Sequence, residues 1–407
     1  LDPDREALID IPNNRRITYG KLDQRVKRLA NGLIDQFNVV KGDRVAVLSK
    51  NSIEYMEVYF ACARIGLIIQ PLNWRLGVSE LSRILNDGEP NVLVHADEYT
   101  DTVEKLEFKK AGVNKLSYGP ESDGSYETVI ANSIDSEPAS STEVGGDDPV
   151  MILYTGGTTG ESKGALHTHK SVYIGMMNQT VAERILPTDI YMLTGQMFHI
   201  PIALAINYMA HGCPLVLINF EARLALEVIQ KERVSAFLGI TTMLNWMMAV
   251  EDFKDFDLSS LRNIQYGGGP MPHSVVKAAL AAFPCTIIQG YGQTEGMTMS
   301  FLSQEDHIRA LNGDHPERLA SCGREGFVTS IKLVDSEGNL VPKDGATPGE
   351  ILVQSEANMI GYWRRPDLTA ETIRDGWLWT GDIAFWDEEG YIFIVDRAKD
   401  MIISGGE

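Results

Sequence analysis

The chain has 407 residues, 44% apolar and 23% charged, with a formal net charge of −20. That length exceeds one ordinary core, so two or three packed units are expected, and the composition is normal for a soluble globular protein. The acidity and the lack of any Lys/Arg cluster exclude a nucleic-acid binder and argue against nonspecific attachment to anionic membranes. Cys62, Cys213, Cys285 and Cys322 are widely separated. They have no metal-type spacing, and a disulfide framework is not expected at this size, so a reducing cytoplasm is the expected compartment. The chain begins at Leu1 rather than Met and reads as a piece of a longer protein.

Residues 1–150 alternate helical and strand patterns. Tyr19 to Phe37 places Leu22, Val26, Leu29 and Leu33 at helical spacing after Thr18, a candidate cap. Asp43–Leu48 reads as a strand, Ser52–Arg64 as a helix, Leu67–Pro71 as a strand, Ser79–Asn86 as a helix and Asn91–Val94 as a strand. Such alternation predicts a parallel, doubly wound sheet. Gly119 to Pro149 is polar and rich in Ser, Asp, Glu and Gly, the composition of a surface linker. A second alternating block runs from Ser171 to Glu295. Its strand candidates are Ile190–Leu193, Leu215–Ile218, Ala236–Gly239, Asn263–Tyr266 and Thr286–Gln289, and Arg223–Arg233 is one of its helices. The apolar segment Pro201–Ile218 is interrupted by Asn207, His211 and Gly212. It reads as a buried helix and a strand, not a membrane span. From about Gly326 short strands (Val328–Val334, Gly349–Gln354, Tyr391–Val395) alternate with turn signals, predicting a smaller antiparallel sheet or barrel.

The chemistry concentrates in Tyr154–Gly164, which follows the apolar run Val150–Tyr154. Its eleven residues hold four glycines, three threonines, one serine and one lysine. Glycine permits positive φ and close backbone approach, successive N–H groups can form an anion nest, and Lys163 adds positive charge. These are the needs of a polyphosphate. The loop is not a Walker A loop, because Lys163 follows Ser162 and precedes Gly164, and its glycine spacing is not that of a dinucleotide fingerprint.

Three further motifs follow in order: Gln289-Gly290-Tyr291-Gly292-Gln293-Thr294-Glu295; Trp379-Thr380-Gly381-Asp382; and Asp396-Arg397-Ala398-Lys399-Asp400, running into Ile403-Ser404-Gly405-Gly406-Glu407. With the loop, they resemble the acyl-adenylate-forming superfamily of acyl-CoA synthetases, peptide-synthetase adenylation domains and firefly-type luciferases, and among these the fatty-acyl-CoA synthetases most. The likeness covers essentially the whole chain. It implies an α/β fold of two doubly wound, mostly parallel sheets plus a smaller distorted antiparallel β-barrel. The implied large domain covers residues 1–398, with subdomains at about 1–150, 151–320 and 321–398. Residues 399–407 would be a hinge at Lys399 and the start of a further domain.

The resemblance also implies roles. Thr155, Gly156, Gly157, Thr158, Thr159, Gly160 and Lys163 would hold the phosphates of ATP. Thr155 and Glu295 would ligate Mg2+, a cation that wants hard oxygen donors and keeps waters and phosphate oxygens. Thr294 would contact the α-phosphate, and Lys163, Thr294, Glu295 and His199 would form the catalytic set. Tyr291 would stack on adenine, flanked by Gly268, Gly269, Gln289, Gly290 and Gly292. Asp382, following Thr380-Gly381 in an expected turn, would read the ribose, assisted by Arg397, with Lys399 contacting the nucleotide from the hinge. The acid would be lined by His199, Ile200, Gly239, Gly267, Gly268, Gly269, Tyr291, Gly292 and Met297. No Asp lies between Phe198 and Asn207, which disfavours an amino-acid substrate. Ile403 stands where some fatty-acyl members carry a basic residue.

The expected activity is an ATP-dependent acid–thiol ligase with CoA as co-substrate. A medium or long aliphatic acid is favoured because methionine-rich walls suit flexible apolar chains, with an aryl or arylpropenoic acid next. Loading of a carrier-protein thiol, a luciferase-like oxygenase and a noncatalytic ATP-binding regulator are the alternatives. The expected partners are small molecules, and a homodimer is left open.

Overall fold

The computed structural model describes residues 2–155, 162–269 and 271–397, with the strand but not the side chains of Asp396 and Arg397. The loop positions Gly156, Gly157, Thr158, Thr159 and Gly160 and the hinge Lys399 lie outside the described residues. The chain divides into two units. One comprises Leu1–Val172, Gln196–Ile202 and Met359–Arg365, and the other comprises Tyr173–Gly195, Ala203–Asn358 and Pro366–Glu407.

The first unit is built on a seven-stranded sheet. Arg44–Leu48 lies between Ile68–Leu72 and Val92–Ala96, parallel to both. Beyond them Asn114–Tyr118 and Pro149–Thr155 also run parallel to their neighbours. These strands are near-continuous apolar runs because helices cover both faces of a parallel sheet. Lys163–Thr168 then pairs antiparallel with Pro149–Thr155, and Gly361–Tyr362 closes that edge. The predicted helices form where their caps stand. Thr18 accepts from the Lys21 N–H at the start of Tyr19–Phe37, and Ser52 accepts from the Tyr55 N–H at the start of Ile53–Ile65. Leu22, Val26, Leu29 and Leu33 form the buried stripe of the first helix.

The polar stretch after Gly119 is more than a linker. It contains the helix Ser125–Ala131, whose Tyr126, Val129 and Ile130 are buried. Tyr126 donates to the buried Glu57 carboxylate at 2.8 Å. A Cβ on Gly32 of the first helix would stand 2.4 Å from Val129 Cγ1, so glycine is what lets the two helices close. A single short cluster of apolar residues among polar ones is too little for a periodic signal.

In the second unit strands run in the order Arg324–Glu325, Met297–Leu302, Thr286–Gln293, Asn263–Gly267, Ala236–Leu238, Tyr191–Leu193, Leu215–Leu217. From Thr286–Gln293 onward the pairings are parallel, and the Met297–Leu302 and Arg324–Glu325 edge is antiparallel. A separate five-stranded antiparallel sheet joins Ser330–Val334, Gly349–Gln354, Trp377–Trp386, Ile373–Arg374 and Ile392–Arg397. Its alternate residues Ile331, Leu333, Ile351, Val353, Leu378 and Ala384 bury together with Trp386 and Ile392. The mixed α/β sheets with an added antiparallel half-barrel are the expected fold class. Pro201–Ala210 is a helix and Leu215–Leu217 a strand, and among the described residues no helix is long and apolar enough to cross a membrane.

One carboxyl in the second unit is buried at a cost. Glu183 ends the helix His169–Glu183 and is 1% exposed, and the Tyr208 hydroxyl and Gln179 amide donate to it. Burial outweighs these donors and raises its pKa from 4.5 to about 7. A carboxyl that holds its proton more tightly folded than unfolded imposes no penalty below the unfolded value. The penalty builds as pH rises from about 4.5 to about 7 and is complete above that. Urea unfolding at pH 5 and pH 8 should therefore show the parent losing about 2–3 kcal/mol more between these pH values than Glu183→Gln. Identical pH dependence in the two proteins would refute this.

Candidate active site

In the first unit, the strand Pro149–Thr155 delivers Thr155 opposite Lys163 of the returning strand. The end of that strand is braced. Tyr154 donates to Asp87 Oδ2 at 2.8 Å, and burial, then the Asp87 charge, holds the phenol well above its ordinary pKa. Asp87 also pairs with Arg365 at 3.1 Å, while its carbonyl accepts from Trp363 Nε1 at 3.1 Å. Trp363 N–H donates to the Gly164 carbonyl at 2.7 Å. The Lys163 ammonium stands 5.3 Å from the centre of the Tyr362 ring, a cation–π contact. Gly164 is demanded by packing, since a Cβ there would lie 2.5 Å from Ile152 Cγ2 and 3.1 Å from Tyr154 Cζ.

His199 and Ile200 are half-buried in the turn before the helix Pro201–Ala210, where His199 N–H donates to Gln196 O at 3.2 Å. That turn is tied down from two sides: Met197 N–H donates to Asn51 Oδ1 at 3.0 Å and Trp74 Nε1 to Gln196 Oε1 at 3.0 Å.

In the second unit, the parallel strands Asn263–Gly267 and Thr286–Gln293 align Gly267 with Gly290. A Cβ on Gly267 would lie 2.3 Å from the Gly290 carbonyl oxygen, and Gly268 has φ +74°. The first two glycines of the triplet are thus fixed by strand approach and by left-handed backbone. Gly239 is likewise set by packing, 2.7 Å from Leu244 Cδ2 and 2.9 Å from Ile264 Cγ2 at its would-be Cβ.

Thr286–Gln293 then turns back into Met297–Leu302, with a register shift between Tyr291 and Gly292. The turn carries Thr294, 5% exposed, and the half-buried Glu295. Met297 sits at φ 57°, a strained setting for a side-chain-bearing residue. A Cβ on Gly292 would come within 1.9 Å of the Met297 carbonyl oxygen, so glycine and the strained methionine shape the turn together.

Tyr291 is half-buried and donates to Asp382 Oδ2 at 2.5 Å. Burial, then the Asp382 charge, pushes its hydroxyl well above the usual tyrosine range, so it remains a donor. Asp382 is 2% exposed. Rather than in a turn, it lies within the long strand Trp377–Trp386, directly after Gly381 at φ +74°, and opposite Arg397 in the register. Asp382 N–H donates to Thr380 Oγ1 at 3.1 Å, Thr380 Oγ1 to Ile351 O at 2.8 Å, and Gly381 N–H to Glu350 Oε1 at 3.0 Å.

The structure therefore brings together Tyr291 with Asp382, Gly267 with Gly290, Gly292 with Met297, and Thr155 with Lys163. Sequence reasoning missed Asp87, Tyr362, Trp363 and Glu350. Each acts through a partner distant in the chain, and none stands in a motif.

A family model described as AMP-binding enzyme matches residues 1–363. A feruloyl-CoA synthase of Amycolatopsis sp is 35% identical over 96% of this chain and 75% of its own length. The long-chain-fatty-acid–CoA ligase FadD13 of Mycobacterium tuberculosis is 32% identical over 100% of this chain and 78% of its own. The crystal structure of the N-terminal domain of FACL13 from Mycobacterium tuberculosis superposes with a TM-score of 0.87 at 29% identity, covering 97% of this chain and 96% of that one. This chain belongs to the AMP-binding enzyme family, as an adenylate-forming ligase of the kind whose CoA ligases use ATP, Mg2+ and CoA.

Proposed function

We propose that this protein is an AMP-forming acyl-CoA synthetase that activates a medium- or long-chain aliphatic acid. The observation that carries the nucleotide half of this reading is the buried Asp382 carboxylate, held by Tyr291 and flanked by the Thr380–Gly381 backbone. A carboxylate so fixed suits the vicinal hydroxyls of a ribose. The side-chain oxygen of Gln289 is buried with no partner among the described residues, an acceptor left for a donor such as an exocyclic amine. For magnesium, no group of three or more His, Cys, Asp or Glu that could hold an ion occurs among the described residues. A single carboxylate, Glu295, and a single hydroxyl, Thr155, fit an ion that draws its remaining oxygens from phosphates and water.

A free carboxylate reacts poorly because its leaving group would be oxide. In the proposed first step, a substrate carboxylate oxygen attacks the α-phosphorus of ATP, the bond to the bridging oxygen breaks, and pyrophosphate leaves. Lys163 places charge on the phosphates, Thr294 contacts the α-phosphate, and Asp382 with Tyr291 holds the nucleoside so that the phosphorus meets the acid. Bound magnesium would neutralise charge on the phosphate oxygens. In the second step a thiolate, that of CoA, attacks the adenylate carbonyl carbon and AMP departs. His199 orients the acid, and Lys399 is assigned the hinge.

The acid preference rests on the residues assigned to its pocket. His199, Ile200, Gly239, Gly267, Gly268, Gly269, Tyr291, Gly292 and Met297 supply apolar and small surface with little charge, suited to a methylene chain. An arylpropenoic acid is the second reading, favoured by the 35% identity to a protein named feruloyl-CoA synthase.

Acid-dependent exchange of pyrophosphate into ATP, measured across aliphatic, arylpropenoic and amino acids, tests the reading. Aliphatic acids should stimulate exchange most and amino acids not at all. Stimulation by arylpropenoic acids alone would move the second reading to the front. ATP binding without exchange for any acid would remove the adenylation claim. In the same assay Glu295→Ala should lower magnesium-dependent exchange by about 100-fold or more, the usual scale for losing a group that stabilises developing charge. Retention of parental magnesium-dependent turnover would refute the assignment of Glu295.

A further inference from the structure

We infer that Glu350 and the Tyr291 hydroxyl are positioning groups that set the ribose-reading geometry of Asp382; this rests on the nucleotide assignment above. On the strand Gly349–Gln354, Glu350 lies opposite Ile383 and Leu352 lies opposite Trp379. Two steps on one strand thus match four on the other. Thr380, Gly381 and Asp382 bulge out of the pairing with that strand, while Asp382 stays opposite Arg397 on the other side, and Gly381 takes φ +74°, which glycine tolerates and other residues resist.

A bulge removes backbone N–H groups from their cross-strand acceptors, and each needs another. Here side chains accept from two of them. Glu350 Oε1 takes the Gly381 N–H at 3.0 Å, and Thr380 Oγ1 takes the Asp382 N–H at 3.1 Å while donating to Ile351 O at 2.8 Å. Thr380 belongs to the bulge itself. Glu350 is the external anchor, reaching the apex of the bulge from the neighbouring strand. The carboxylate that the bulge presents is then held at its other end, with Tyr291 donating to Asp382 Oδ2 at 2.5 Å from the strand Thr286–Gln293. The backbone beneath Asp382 is fixed by Glu350 and the carboxylate plane by Tyr291. Neither contact needs the nucleotide, so the reader is pre-organised, and its discrimination between a ribose and a sugar without hydroxyls depends on both anchors.

The test compares the affinity of the purified protein for ATP with that for 2′,3′-dideoxy-ATP by calorimetry. The parent should favour ATP. Glu350→Ala and Tyr291→Phe should each reduce that preference about tenfold, the scale of a hydrogen bond to a charged group. Glu350→Gln, whose amide oxygen still accepts from Gly381, should restore it. Tyr291→Phe keeps the ring, so stacking is untouched and the hydroxyl alone is probed. A general loss of stability would weaken both nucleotides alike and leave the ratio unmoved. A parental ratio in Glu350→Ala and Tyr291→Phe would overturn the inference while leaving ATP binding intact. If Glu350→Ala fails to fold by circular dichroism, the Tyr291→Phe ratio decides. A parent that binds no ATP would overturn the nucleotide reading itself, and the inference with it.

Discussion

An ionised carboxylate taken out of water has to be met by donors, or it takes up a proton. Asp382 is almost fully buried, and much of the second unit follows from that constraint. Tyr291 can reach it from a strand broken in register just after Tyr291. The return of that strand needs Gly292, because the Met297 carbonyl occupies the space of a side chain. It also puts Met297 into left-handed backbone, a strain of about 1–3 kcal/mol that the surrounding packing must sustain. From the other side, presenting Asp382 demands a bulge with Gly381 at positive φ and an acceptor from the next strand. Tyr291, Gly292, Thr380 and Gly381 are thus tied to one buried carboxylate and the backbone that carries it.

The first unit solves a different problem: aiming a chain that leaves a sheet into a glycine-rich loop. A phosphate-binding role assigned to such a loop calls for a stiff base beneath it. Asp87 supplies that base. Its carboxylate takes Tyr154 and Arg365, and its carbonyl takes Trp363. The Gly361–Tyr362 strand then covers the edge formed by Lys163–Thr168 and sets an aromatic face against the Lys163 ammonium. Gly164 is required at that edge, since a Cβ there would strike Ile152.

Much of this was legible in the sequence, and the reason is local. Thr18 announces a helix because capping involves residues three apart. The runs Asn91–Val94 and Val150–Tyr154 announce buried strands because a doubly covered sheet favours apolar residues on both faces. The four motifs stood out because phosphate and metal chemistry requires particular backbone freedom at close spacing. What escaped was long-range. Glu350 is one more acidic residue on a strand until its partner, Gly381, 31 residues away, is known. Asp87 follows Asn86 in a polar helix end, and nothing nearby marks it. The helix Ser125–Ala131 was hidden because its three buried residues are diluted by polar neighbours that face solvent. Asp382 was expected in a turn because Thr-Gly-Asp has turn chemistry, and the structure accommodates that chemistry as a bulge inside a strand.

The same division between directed and undirected contacts bears on the substrate. Asp382, Tyr291, Thr380 and Glu350 are joined by hydrogen bonds whose geometry tolerates little change. The residues assigned to the acid are glycines fixed by packing, such as Gly239 and Gly267, and apolar side chains such as Ile200 and Met297. Apolar packing discriminates weakly, about 1–3 kcal/mol per methylene, whereas a missed hydrogen bond to a buried polar group is far more selective. A framework of this kind can keep one nucleotide chemistry while its acid changes through modest exchanges of volume. Two relatives of similar identity, 35% and 32%, are named for acids as unlike as ferulate and a long-chain fatty acid. That is the pattern expected when the shared reaction is held by hydrogen bonds and the substrate by shape.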